Sequence, residues 1–190
     1  MCGPVGTCSK RGIGKGKLSL IKSTQSIEKD AEKWYFIGIG MYGWSNNMDK
    51  YEVLKLENQI CFPLYVCSKE IVKKYTPYLD EIDLTYTQYI TMMVLWEHEE
   101  MNVKELGKYL YLDSGTLTPV LKKLEQKGFV TRKRDMKDER VLNVAVTAEG
   151  MALREKALDV PMKIGGCVTL GQEDTIKLHE ILHKLLKNFD

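Results

Sequence analysis

The residues with chemistry to offer are the thiols. Five cysteines stand at positions 2, 8, 61, 67 and 167 of 190 residues, too few and too odd in number for a disulfide scaffold. Free thiols in a reducing cytoplasm fit better, so a cysteine with a role is redox-reactive or metal-bound. Cys61 is the best placed. Pro63, two residues on, is tolerated in the first turn of a helix but is disruptive in its interior. A helix whose main body starts near Pro63 puts Cys61 at its N-terminal end. There the dipole favours an anionic sulfur, the form that attacks a peroxide and becomes a sulfenic acid. Cys67 lies off the face of Cys61 and reads as a buried small apolar residue, while Cys2 and Cys8 take no role. Of the three histidines, His179 and His183 at i, i+4 could share a metal. No cysteine or carboxylate is arranged around them, so a solvated helix face is the better reading, and no metal or other cofactor is expected.

Helices must position these groups. Apolar residues recur at helical spacing from Tyr51 to Leu79, interrupted at Pro63 by either a kink or a start. A second helix begins at Leu84 and carries an apolar run to Trp96. Asn102 with Glu105 three residues on resembles a capping box and opens a short helix ending near Leu110. Asp113 or Ser114 caps another, which runs to Gly128 as its C′ residue. The period then switches to two. Phe129-Val130-Thr131-Arg132 and Val141–Val146 read as paired strands around a polar loop. A helix from Thr147 is expected to stop at Pro161, and a last amphipathic helix runs from about Gln172 to Phe189.

The charge is unevenly spread. The formal net charge of +2 divides into +4 over residues 1–47 (seven Lys/Arg, three Asp/Glu) and −2 over residues 48–190. Within that acidic body, Val120–Arg140 carries eight basic residues against four acidic ones. Residues 1–47 also hold eight of the fifteen glycines and no sustained periodicity, so they are expected to be disordered or an artefact of an upstream start codon. The apolar stretch Trp34–Trp44 is too short to span a bilayer.

Two short helices followed by a hairpin outline a mainly α fold with a small β-hairpin wing, a winged helix-turn-helix. The helix from Asp113 would enter the major groove and the hairpin tip the adjacent minor groove. Ser114, Thr116 and Thr118 are candidates for base-edge or phosphate contact, and Lys122 and Lys123 for phosphates. On the wing, Arg132 and Arg134 add charge, Arg140 is the candidate for the minor groove, and Asp138 would hold the turn.

Four stretches carry a family resemblance: LENQICF (56–62), LTYTQY (84–89), LYLDSGTLTPVLKKLE (110–125) and DERV (138–141). They resemble the MarR family, and within it the organic-hydroperoxide-sensing, OhrR-like branch. The likeness covers roughly Lys55 to Pro161, more weakly the last helix, and none of residues 1–47. It implies a homodimer with dimerisation helices at about 51–80 and 150–190 flanking a winged helix at about 84–147. It also implies that Cys61 is the peroxide-reactive cysteine and that Tyr65, Tyr75 and Tyr86 surround its sulfur, some of them from the partner subunit. Some members form a disulfide with a second cysteine lying between the two C-terminal helices. Cys167 sits in such a segment after Gly165-Gly166, and the choice between it and a small cellular thiol as resolving partner stays open. Pro63 departs from the helix-compatible residue usual there in this branch.

The expectation is thus a cytoplasmic, non-enzymatic repressor of double-stranded, pseudo-palindromic operator DNA, released by organic hydroperoxides and not associated with membranes. Two rivals stand beside it. One is a repressor triggered by a non-covalently bound phenolic ligand. The other is a thiol peroxidase using Cys61, which would leave the winged-helix outline without a purpose.

Overall fold

The computed structural model describes residue 51, residues 54–167 and residues 169–189. The readings made for residues 1–47 lie outside them. The chain divides into two compact units, with the boundary between Glu70 and Ile71.

In the first unit a 3-10 turn, Leu56–Asn58, precedes helix α1, Cys61–Asp80, which continues into the second unit. Of the two readings of Pro63, a kink or a start, the start is the one observed, with the helix beginning at Cys61 and not at Tyr51. Pro63 supplies the reason: its ring would clash with the Gln59 carbonyl in a continuous helix, and Gln59 is instead extended (φ −105°, ψ 112°). Pro63 becomes the third helical residue, inside the tolerated first turn.

The second unit is built around helix α2, Tyr86–His98. Thr85 closes a reciprocal capping box: its Oγ1 accepts from Gln88 N–H, and Gln88 Oε1 accepts from Thr85 N–H at 3.0 Å. Helix α2 buries Tyr89, Thr91, Met92, Leu95 and Trp96. Strand β1, Glu100–Asn102, follows directly, and Asn102 ends it while capping helix α3, Val103–Leu110, through Oδ1 on Glu105 N–H at 2.8 Å. Tyr111, in the left-handed region (φ 52°), turns the chain into helix α4, Ser114–Gln126. The approach of the two helices is tight: a Cβ on Gly107 would lie 2.8 Å from the Leu112 carbonyl oxygen.

Gly128 (φ +77°) ends α4 in a Schellman arrangement, with Gly128 N–H on Glu125 O and Phe129 N–H on Leu124 O. Strands β2, Val130–Arg134, and β3, Leu142–Val146, form the hairpin, and β3 lies between β2 and β1 in an antiparallel sheet. The first strand thus begins and ends later than expected, and the third strand was not anticipated. Helix α5, Ala148–Ala157, starts at the Thr147 cap. Pro161 does not stop a helix as expected. It occupies the first turn of a separate helix α6, Asp159–Gly165, because a proline there forgoes only an N–H that the helix start leaves unused. Helix α7 spans Gln172–Leu186.

The core joins Leu79 and Leu84 to Met92, Leu106, Leu117, Leu121, Leu124, Val144 and Leu153. Helix α7 buries none of its residues, although Ile176, Ile181 and Leu185 are among its side chains. Among the described residues, no helix is long and apolar enough to cross a membrane.

Candidate functional site

The DNA-reading candidates converge on α4 and the hairpin. Asp113 is the N-cap of α4: Oδ1 accepts from Thr116 N–H and Oδ2 from the Thr116 hydroxyl, each at 2.9 Å. These bonds hold the Asp113 carboxyl below its ordinary value, led by the Thr116 backbone N–H. Thr118 donates its hydroxyl to Ser114 O at 2.6 Å. The hydroxyl protons of Thr116 and Thr118 are therefore committed to the Asp113 carboxylate and the Ser114 carbonyl. Ser114, Lys122 and Lys123 are exposed.

The wing cations divide into two groups. Arg132 donates through Nε at 3.0 Å and Nη2 at 2.5 Å to Glu125 Oε2, and its backbone N–H reaches Glu125 Oε1. This pair ties the first wing strand to α4, a structural task that the charge count alone did not reveal. Lys127 is likewise held, 2.9 Å from Asp83 Oδ1. Arg134 donates to the Glu139 carbonyl across the hairpin. Arg140 is exposed at the wing, where its backbone N–H donates to Asp138 Oδ1 at 3.0 Å.

Asp138 shares the turn with a residue that sequence reasoning missed. Asp135 Oδ1 accepts from Lys137 N–H at 2.8 Å and from Asp138 N–H at 3.1 Å. Those two amides hold the Asp135 carboxyl below its ordinary value. An aspartate followed by two residues with free amides is the signal of an Asx turn, and it was present in the sequence.

Among the thiols, Cys61 is the first residue of α1 and is exposed, as is Tyr65 one turn on. Cys67 is also exposed rather than buried, because residues 61–70 of the chain bury no side chain. In the second unit Tyr75 and Tyr86 meet edge to face with ring centroids 4.9 Å apart, and Tyr89 stands 6.1 Å from Tyr75. Burial, then repulsion by neighbouring tyrosines, pushes the Tyr75 and Tyr89 phenols above their ordinary value, so both keep their protons and stay donors. Cys167 is half-buried, its Sγ 3.8 Å from the Tyr78 hydroxyl. His179 and His183 stack at 3.9 Å on the exposed face of α7, and among the described residues no cluster of three or more metal-ligating side chains occurs.

Comparison with known proteins places this geometry. A family profile described as "Transcriptional regulator SarA/Rot" matches residues 73–157. The organic hydroperoxide resistance transcriptional regulator of Bacillus subtilis is 48% identical over 139 residues, covering 73% of this chain and 95% of that one. The HTH-type transcriptional regulator SarZ of Staphylococcus aureus is 45% identical over 136 residues, covering 71% and 92%. The structure of reduced AbfR bound to DNA is similar with a TM-score of 0.60 and 35% identity, covering 74% of this chain and 98% of that one. AbfR, a protein of Staphylococcus epidermidis, also has a disulfide-formed structure, similar with a TM-score of 0.51 and 34% identity over 72% of this chain and 96% of that one.

Helix-turn-helix and wing define a winged-helix transcriptional regulator, and the relatives are regulators, not enzymes. The chain belongs to the MarR family, in the branch that includes the organic hydroperoxide resistance regulators.

Proposed function

We propose that this regulator represses transcription in the cytoplasm as a homodimer and releases its operator when an organic hydroperoxide oxidises Cys61. The observation that carries the reading is an exposed thiol at the first residue of a 20-residue helix, in a chain 48% identical to the Bacillus subtilis regulator. The Cys61 thiolate attacks one peroxide oxygen and the O–O bond breaks. The sulfur is oxidised to a sulfenic acid, and the departing alkoxide takes a proton to leave as the alcohol. Attack on the sulfenic acid by Cys167 of the partner subunit, or by a small cellular thiol, then forms a disulfide and releases water. Tyr65, Tyr75 and Tyr86, some of them supplied by the partner subunit, donate to the thiolate in the reduced dimer. The protonated state of Tyr75 supports that role.

Dimerisation accounts for the apolar residues of α7 that the single chain leaves exposed, Ile176 and Ile181 among them. In the complex Ser114, Thr116 and Thr118 face base edges or phosphates, Lys122 and Lys123 neutralise phosphates, and Arg140 reaches the minor groove. Arg132 and Arg134 act mainly by shaping the wing, as their bonds to Glu125 and Glu139 support. Operator affinity falls steeply with salt, because phosphate neutralisation releases counterions.

The test is a gel shift on a duplex selected from random-sequence DNA by the reduced protein. The wild-type complex should dissociate on adding an organic hydroperoxide, and the Cys61→Ser complex should persist. A Cys61→Ser complex that dissociates equally would overturn the reading in favour of a non-covalent trigger. Non-reducing electrophoresis then separates the resolving routes: a dimer-sized band that survives in Cys167→Ser removes the two-cysteine route.

A further inference from the structure

Two of the tyrosines assigned to the sensor begin a chain of aromatic contacts that leads away from it. Tyr75 packs on Tyr86 and on Tyr89, and Tyr89 meets Trp96 edge to face with centroids 6.3 Å apart. Tyr89 and Trp96 are 4% and 7% exposed, so neither moves without its neighbours. The Trp96 indole N–H then donates to the Gly150 carbonyl in the first turn of α5, at 2.7 Å and buried.

Gly150 stands at a joint. A Cβ built on it would lie 2.1 Å from the Phe129 carbonyl oxygen and 2.7 Å from Val146 Cγ2, the residues at the base of the two wing strands. The cap residue of the same turn, Thr147, donates its hydroxyl to the Gly128 carbonyl at 2.6 Å and its N–H to the Phe129 carbonyl at 3.0 Å. Gly128 is the C′ residue of α4, the helix that carries Ser114, Thr116 and Thr118. One helical turn is thereby fastened to both DNA-reading elements, and a single indole hydrogen bond fastens that turn to the tyrosine cluster.

We propose that Trp96 is the positioning residue through which the Tyr75–Tyr86–Tyr89 cluster sets the placement of the wing and of α4. The inference rests on the proposed redox function. In that function, loss of the tyrosine bonds to the Cys61 sulfur across the dimer shifts the aromatic cluster, and the indole bond carries the shift to Gly150 and the wing base. Coupling of this kind is a difference in free energy between two states, so it is read as a ratio of affinities rather than as an affinity.

The experiment compares full-length wild type, Trp96→Phe and Tyr89→Leu on one duplex selected from random-sequence DNA by the reduced wild-type protein. Operator affinity is measured before and after stoichiometric organic hydroperoxide, and Cys61 sulfenate formation is followed in parallel. Sulfenate should form at the wild-type rate in both variants, while the ratio of reduced to oxidised affinity falls about fivefold in Trp96→Phe, as expected for one ordinary hydrogen bond, and also falls in Tyr89→Leu. With Trp34 and Trp44 replaced by phenylalanine, Trp96 emission should shift on oxidation. A wild-type ratio in both variants, or equal losses of affinity in both redox states, would overturn the proposal and leave Trp96 a packing residue. Wild-type protein whose affinity ignores peroxide would instead remove the redox reading beneath it.

Discussion

Glu125 and Arg132 meet across the turn that joins α4 to the wing, with Arg132 Nη2 2.5 Å from Glu125 Oε2. Arg132 holds the Glu125 carboxyl below its ordinary value, through the side-chain hydrogen bond first and the opposite charge second, against some opposing desolvation. The folded value being the lower one, the stabilisation is fully present above the ordinary 4.5 and is lost as pH falls through the folded value. Wild type should therefore exceed Glu125→Gln in stability near neutrality, and the two should converge in acid. Urea denaturation at a series of pH values checks this, and a gap that persists below the folded value would contradict it. Both side chains retain solvent contact, so the gap should be modest and should shrink with added salt.

Gly150 makes a sharper demand. Its missing Cβ would sit 2.1 Å from the Phe129 carbonyl oxygen, a backbone atom held in turn by Thr147 N–H at 3.0 Å. Neither side can yield cheaply. Gly150→Ala should lower stability by about 3 kcal/mol, the upper end of the usual cost of overpacking, despite the better helix propensity of alanine. Thermal and urea unfolding measure the loss. Alanine at Gly165, where no atom lies within 4 Å of the added carbon, serves as the tolerated control.

Pro63 fixes the start of α1 at Cys61, because its ring excludes a helical Gln59. The neighbouring Phe62 N–H is spent on the Gln59 carbonyl and the Leu64 N–H on the Ile60 carbonyl, each at 3.3 Å. Pro63→Leu removes the clash that starts α1 at Cys61, so the helix can extend toward Leu56 and Cys61 loses its place at the end that favours negative charge. Cys61 should then oxidise about two- to fivefold slower. Stopped-flow sulfenate formation with an organic hydroperoxide gives the rate. An unchanged or faster rate would show that the helix start at Cys61 does not set its reactivity.

What could be read from the chain alone was whatever neighbours in sequence decide among themselves. The Thr85–Gln88 box, the Asn102 and Asp113 caps and Gly128 all act across four residues or fewer, so residue type and spacing suffice to place them. The same holds for the alternation that announced the hairpin. The family likeness rests on long stretches such as 110–125, which are distinctive enough to place the chain in its family. Pro63 was compatible with either a kink or a start, and Pro161, expected to end a helix, lies in the first turn of the next one.

Tertiary structure decided what depends on partners far along the chain. Strand β1 is three residues long and exists only because β3, some forty residues later, offers it a ladder. The pairing of Arg132 with Glu125 was likewise invisible, since charge composition does not say which charges face each other. The Tyr78 hydroxyl beside Cys167 and the Trp96 indole on Gly150 span 89 and 54 residues. No local propensity encodes such contacts. They form when the packed core brings the groups together, which is why the caps could be read from the sequence and these contacts could not.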